Sequence, residues 1–153
     1  MGIEGRLAEL GIDLPPAPKP VASYVPVVVS GGLAFVAGQG ALVDGTVLHP
    51  GHVGGDVTVE QAQEAARRCT LQALAALKEE LGSLDRLSRI VNVTVYVSSA
   101  PGFVDQPVVA NGASDLFIEI MGDAGRHARA AVGVSELPLG LSVEVAVVAA
   151  IGP

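Results

Sequence analysis

Thr58 and Gly82 bracket the segment that most restricts what this chain can fold into. Thr58 followed three residues later by Gln61 is a capping box, in which each side chain satisfies the other's backbone N–H. Gly82 is the residue type that closes a helix. Between them Ala62, Ala66, Cys69, Ala73 and Leu77 recur at spacings of three and four, so they share one helical face. Glu64 and Arg68 fall on the wet side and are expected to pair at i,i+4.

Valine-rich segments flank this helix. Tyr24–Val43 reads as two strands joined around Ser30-Gly31-Gly32, and Asp44-Gly45 signals a tight hairpin returning through Thr46-Val47-Leu48. After the helix, Ile90–Ser98 alternates as a strand. A second helix is expected from about Asp105 to Met121, closed near Gly122, although Asn111-Gly112 in its middle costs helix stability, the glycine alone by about 1 kcal/mol. Ala128–Ser135 and Leu141–Ile151 read as two final strands. This order predicts an α+β fold, with two helices on one face of a mixed sheet. The N-terminus differs: Met1–Leu10 is a short amphipathic helix, and Leu14-Pro15-Pro16-Ala17-Pro18-Lys19-Pro20 makes a semi-rigid arm. Residues 1–20 therefore read as an appended helix and arm, and residues 21–153 as the domain.

A sheet covered on one side leaves its other side open, and here that side is apolar. Half of the 153 residues are hydrophobic, 16% are charged, and the mean hydropathy is +0.51. The apolar runs, such as Val145–Ile151, fall far short of the roughly 20 residues a spanning helix needs, so no membrane partner is expected. Large exposed apolar patches usually mark an interface, and the composition points to a homo-oligomer. A net charge of −7 argues against nucleic acid as a partner, because phosphate neutralisation requires basic patches. The single cysteine, Cys69, excludes an internal disulfide framework and reads as a packed thiol. With no basic-then-apolar leader pattern, a reducing cytoplasm is the expected compartment. His49-x-x-His52 has ligand-like spacing but sits in a glycine- and proline-rich loop, so no metal is expected.

The last third carries the chemistry. Arg129 opens a strand of small and apolar residues, and Glu144 is the only charge in the final strand. If those strands are adjacent and antiparallel, the two side chains approach a common pocket, or else form a structural ion pair at the sheet edge. A guanidinium fork suits a carboxylate ligand, and a partly desolvated carboxylate can hold or activate water.

Ala128-Arg129-Ala130-Ala131-Val132, then Leu137-Pro138 and Val143-Glu144-Val145, together with Val36-Ala37-Gly38-Gln39, resemble the RidA (YjgF) reactive-intermediate deaminases, once described as endoribonucleases or translation inhibitors. The resemblance spans about residues 20–151. It implies a chorismate-mutase-like subunit forming a homotrimer with a central barrel and intersubunit clefts. In those clefts 2-imino or 2-enamino acids are hydrolysed to 2-oxo acids and ammonia without a cofactor. By this likeness Arg129 binds the substrate carboxylate, Glu144 and the Ala131 carbonyl hold the attacking water, and Tyr24, Asn111 and Gly38 line the pocket. The alternatives are a non-catalytic trimer that binds a small carboxylate or regulates a partner, and a related hydrolase on the same fold. Three positions depart from the family pattern: Ala37 replaces a serine, His127 replaces a proline, and Ala146 replaces a second glutamate.

Overall fold

A computed structural model describes residues 1–20 and 22–153. The elements run α1 (Ile3–Glu9), β1 (Val27–Ser30), β2 (Leu33–Gly40), β3 (Leu42–Val43), β4 (Thr46–Val47), α2 (Val59–Leu81), β5 (Leu87–Ser98), α3 (Gln106–Met121), β6 (Ala128–Val134) and β7 (Val143–Ile151). The main sheet has the order β1-β2-β7-β5-β6, with β6 parallel to β5 and the other pairs antiparallel. β3 and β4 form a separate hairpin, closed by Asp44 and Gly45 at φ 50° and 79°. Those positive values are what a two-residue hairpin turn of matching twist requires.

Local chemistry sets α2 as its sequence suggests. Thr58 and Gln61 exchange both capping-box hydrogen bonds, and Gly82 closes the helix in the left-handed conformation at φ 82°. Ala62, Ala66, Cys69, Ala73 and Leu77 are all buried. α2 packs on β2 and β7, and α3 packs on β5 and β6, so both long helices cover the same face. The helices meet at Gly112, where a Cβ would collide with the Gln63 backbone. That close approach explains a glycine whose helix propensity is poor. Along β7 the inward residues Val143, Val145, Val147 and Ala149 are buried between sheet and helices. α1 adds Ile3 and Leu7 to this core and is tied down by a 2.7 Å Glu4–Lys78 ion pair.

Strand bounds differ modestly from expectation: β5 begins at Leu87, and β7 begins at Val143 because Pro138–Gly140 forms a 3-10 turn. The expected Glu64–Arg68 pair does not form. Arg68 Nε instead donates to the Leu42 carbonyl at 2.8 Å, and Glu64 lies 3.2 Å from His49 Nε2. A part-buried charge-assisted hydrogen bond outweighs an exposed i,i+4 pair, worth only about 0.2–0.5 kcal/mol. The more consequential correction concerns the C-terminal strands. β6 and β7 are not neighbours, since β5 lies between them and β6 forms a free edge.

The outer face of the sheet carries no helix. Val28, Phe35 and Val132 are 51%, 44% and 43% exposed there, beside half-buried Ala146 and Val148. This is an apolar surface of the kind that marks an interface. No helix among the described residues is long and apolar enough to cross a membrane.

Candidate functional site: two half-sites on opposite faces of the sheet

Register places Arg129 opposite Val93 of β5, and Val93 is buried beneath the helices. Paired residues point to the same face, so the Arg129 side chain passes to the helix side at the free edge. There Nη1 donates to Asn111 Oδ1 at 2.8 Å and to Ser114 Oγ at 3.2 Å, both on α3. These bonds use both Nη1 hydrogens. Nε and Nη2 make no hydrogen bond to the protein among the described residues, and together they present the side-on fork that matches a carboxylate. Arg129 lines an open cavity of about 260 Å³ together with Asn111, Ser114, Asp115 and His127.

Ala131 lies two residues along the same strand. The Val134 carbonyl accepts from Ser99 N–H, on the β5 side, at 3.0 Å. Backbone groups alternate in direction along a strand, so the Ala131 carbonyl turns to the free edge. Asn111, Arg129 and the Ala131 carbonyl therefore share one half-site.

His127, which stands where the family pattern has a proline, completes it. Its Nδ1 lies 2.6 Å from the Gly125 carbonyl and its Nε2 lies 2.8 Å from Ser114 Oγ. Its ring stands edge-on to Phe117, with centroids 5.8 Å apart. Burial, reinforced by the Arg129 charge, holds its pKa below the usual 6.5 although the Gly125 bond opposes this. Nothing in the sequence signals that a serine inside a helix meets a histidine thirteen residues later.

Glu144 lies elsewhere. It pairs with Tyr96 of β5 and Gly40 of β2, and it alternates with buried Val143 and Val145, so it emerges on the uncovered face. Two strand spacings and three residues along the sheet separate it from Arg129, roughly 10 Å in each direction. Neither a common pocket nor an ion pair forms within one chain. The Glu144 carboxylate fits because position 38 has no side chain: a Cβ on Gly38 would land on it. It accepts no side-chain or loop hydrogen bond among the described residues, and burial raises its pKa above 4.5. Its charge, after burial itself, also pushes up the Cys69 thiol, which is fully buried and donates toward the Val143 carbonyl at 3.6 Å. Tyr24 is 48% exposed on the segment entering β1, at the sheet edge opposite β6. Gly38 and Glu144 thus share the second half-site, with the Tyr24 segment on their side of the sheet.

His49 and His52 do not converge. His49 meets Glu64, and His52 Nε2 contacts the Ser135 carbonyl at 2.9 Å and Glu136 at 3.1 Å, bracing its loop against the end of β6. No cluster of three or more His, Cys, Asp or Glu side chains able to hold a metal ion occurs among the described residues. A larger cavity, about 460 Å³, lies between the proline arm and α2 and contains none of these candidates.

An α+β subunit with an arginine fork at one sheet edge and a desolvated glutamate on the bare sheet face defines a recognisable class. Residues 4–151 match the family described as "YjgF/chorismate mutase-like, putative endoribonuclease". The chain is 45% identical to protein TCP17 of Trypanosoma cruzi over 144 residues, covering 94% of this chain and 90% of that one. The crystal structure of Atu1372 from Agrobacterium tumefaciens superposes with a TM-score of 0.89 at 45% identity, covering 97% of this chain and 92% of that one. The crystal structure of a Shewanella oneidensis protein described as a "putative endoribonuclease" superposes with a TM-score of 0.94 at 32% identity, covering 99% of this chain and 100% of that one. The chain belongs to the YjgF/chorismate-mutase-like family, the RidA family.

Proposed function

We propose that the protein hydrolyses 2-imino and 2-enamino acids to 2-oxo acids and ammonia, in clefts completed between copies of the chain in a homotrimer. The observation that carries this reading is the Arg129 fork, anchored through Nη1 and unpaired at Nε and Nη2. It is built to grip a small carboxylate, and Asn111 beside it offers a polar contact.

A bound imino acid presents its C2 next to that carboxylate. Protonated at nitrogen, the imine is already electrophilic, so the site has only to orient it and deliver water. Glu144 of the partner subunit, with its pKa raised by burial, takes a proton as water oxygen bonds to C2, and returns one to the departing nitrogen. As the carbinolamine collapses, its hydroxyl proton passes back to Glu144, C2 becomes the carbonyl of the 2-oxo acid, and the C–N bond breaks to release ammonia. The Ala131 carbonyl supplies a second acceptor for the water, and no cofactor is needed. Tyr24 and Gly38 complete the wall on the Glu144 side. Cleavage of RNA draws less support, because a chain of net charge −7 repels a polyanion.

The test generates 2-aminoacrylate and other imino acids in situ and follows ammonia and 2-oxo acid. Arg129→Ala is expected to lower kcat/KM by at least about a hundredfold, since hydrogen bonds to charged groups are worth roughly 1.5–3 kcal/mol each. No acceleration across several side-chain types removes the deaminase reading and leaves a carboxylate-binding trimer.

A further inference from the structure

Ser114 and His127 stand beside Arg129, and nothing in the hydrolysis above uses them. Chemistry settles the direction of their hydrogen bonds. The Gly125 carbonyl only accepts, so the hydrogen sits on His127 Nδ1. In the neutral ring Nε2 is then an acceptor and takes the Ser114 hydroxyl hydrogen. With that hydrogen committed, the Ser114 oxygen offers only lone pairs, and one of them receives Arg129 Nη1–H. The chain of bonds therefore runs in one sense, from Arg129 through Ser114 and His127 to the Gly125 carbonyl.

The far end of this relay is rigid. The His127 ring is wedged edge-on against Phe117, which is fully buried, and Gly125 is packed so tightly that a Cβ would strike the Phe117 backbone. Ser114 is 7% exposed and reaches out from a packed helix. Arg129, by contrast, is exposed and has a long, rotatable side chain.

We propose that Ser114 and His127 are positioning residues for Arg129: the Nδ1–H tautomer of His127 orients the Ser114 hydroxyl, which with Asn111 pins Nη1 and turns the Nε–Nη2 edge to the substrate carboxylate. This rests on reading Arg129 as the carboxylate-binding group. The Ser114 oxygen is assigned to holding the arginine, because one of its lone pairs receives Arg129 Nη1–H and the side chain is only 7% exposed.

The test combines nitrogen NMR with binding of 2-oxobutyrate, an unreactive product-like probe. In the wild-type protein at neutral pH, His127 should show a protonated Nδ1 and an unprotonated Nε2, the less common tautomer of a free imidazole. His127→Phe keeps a ring against Phe117 but removes the acceptor, and Ser114→Ala removes the link. Each should weaken 2-oxobutyrate binding about three- to tenfold, the span of one ordinary hydrogen bond, and raise KM far more than it lowers kcat. The double variant should cost no more than the worse single one, because both break the same chain. His127→Gln, whose amide oxygen reaches the Nε2 position, should restore affinity to within about twofold.

An Nε2–H tautomer, additive single-variant losses, or His127→Gln as weak as His127→Phe overturns the proposal. The wild-type spectrum and His127→Gln decide it even where His127→Phe does not fold. Failure to hydrolyse any imine removes the deaminase reading alone, since tautomer and probe affinity are read without turnover. Absence of 2-oxobutyrate binding by the wild type overturns both.

Discussion

Arg129 and Glu144 leave opposite faces of one sheet, on strands held apart by β5. A cleft that uses both must take the arginine from one copy and the glutamate from another. The bare sheet face, with Val28, Phe35 and Val132 exposed, supplies the surface on which copies can meet. Closed rings of identical subunits arise from such head-to-tail contacts. A trimer of this 15.4 kDa chain has a mass of about 46 kDa in solution.

Mixing two inactive variants tests that arrangement. Arg129→Ala and Glu144→Gln should each ruin every site of the proposed homotrimer. Unfolded and refolded together in equal amounts, they generate hybrid interfaces in which both intact residues meet. Random assembly should restore about a quarter of wild-type activity, because each site draws one residue from each of two chains. Co-refolded samples that stay as inactive as the parents place the two residues in separate functions.

Gly38→Ala tests the second half-site without touching an ionisable group. Its Cβ would occupy the position of the Glu144 carboxylate and force the side chain aside. A displacement of about 1 Å at a reacting group costs on the order of a hundredfold. kcat should fall by about that factor, while thermal melting changes little. A variant with wild-type kcat would show that the carboxylate need not sit where Gly38 lets it.

Two groups should give pH effects of opposite sign. The folded pKa of His127 lies below 6.5, with burial as the main cause. The unfolded chain therefore binds more protons as pH falls through 6.5, and stability declines until the folded pKa is passed. Above 6.5 this contribution vanishes. Glu144 has a folded pKa above 4.5, again from burial. Its cost is fully present above that folded pKa and is relieved as pH falls through it toward 4.5. Denaturation midpoints should show His127→Gln gaining on the wild type below pH 6.5 and Glu144→Gln more stable at pH 8. The same pH dependence in all three proteins would contradict both shifts.

Legibility in the sequence followed the range of each interaction. The bounds of α2 could be read because Thr58, Gln61 and Gly82 act on their own neighbours. The inward face of β7 could be read because alternation is local, and the same alternation marks Glu144 as the odd residue. Strand order is not local: that β5 inserts between β6 and β7 depends on where α3 returns the chain, so the adjacency on which a shared pocket within one chain depends is absent. Arg68 left Glu64 for the Leu42 carbonyl for the same reason, since the β3–β4 hairpin reaches it only in the folded molecule. The residues singled out by resemblance fall in two places, with Asn111, Arg129 and Ala131 at one edge and Gly38 and Glu144 together on the bare face. Ser114 escaped notice because a serine inside a helix carries no signature until its histidine partner is in place.

Gly112 offers a test of how the helical layer holds the arginine edge. α2 and α3 approach closely at Gln63 and Gly112, with the Gln63 carbonyl oxygen in the space a Cβ would fill. Gln63 Nε2 also donates to the Val108 carbonyl at 2.8 Å, tying the same turn to α3. Gly112→Ala gains about 1 kcal/mol of helix propensity but overpacks a backbone contact, which typically costs about 1–3 kcal/mol. The net expectation is a lower Tm. Because Asn111 and Ser114 ride on the displaced turn, carboxylate affinity should fall with it. A variant that melts higher and binds 2-oxobutyrate as well as the wild type would mean that α3 can shift without moving its grip on Arg129.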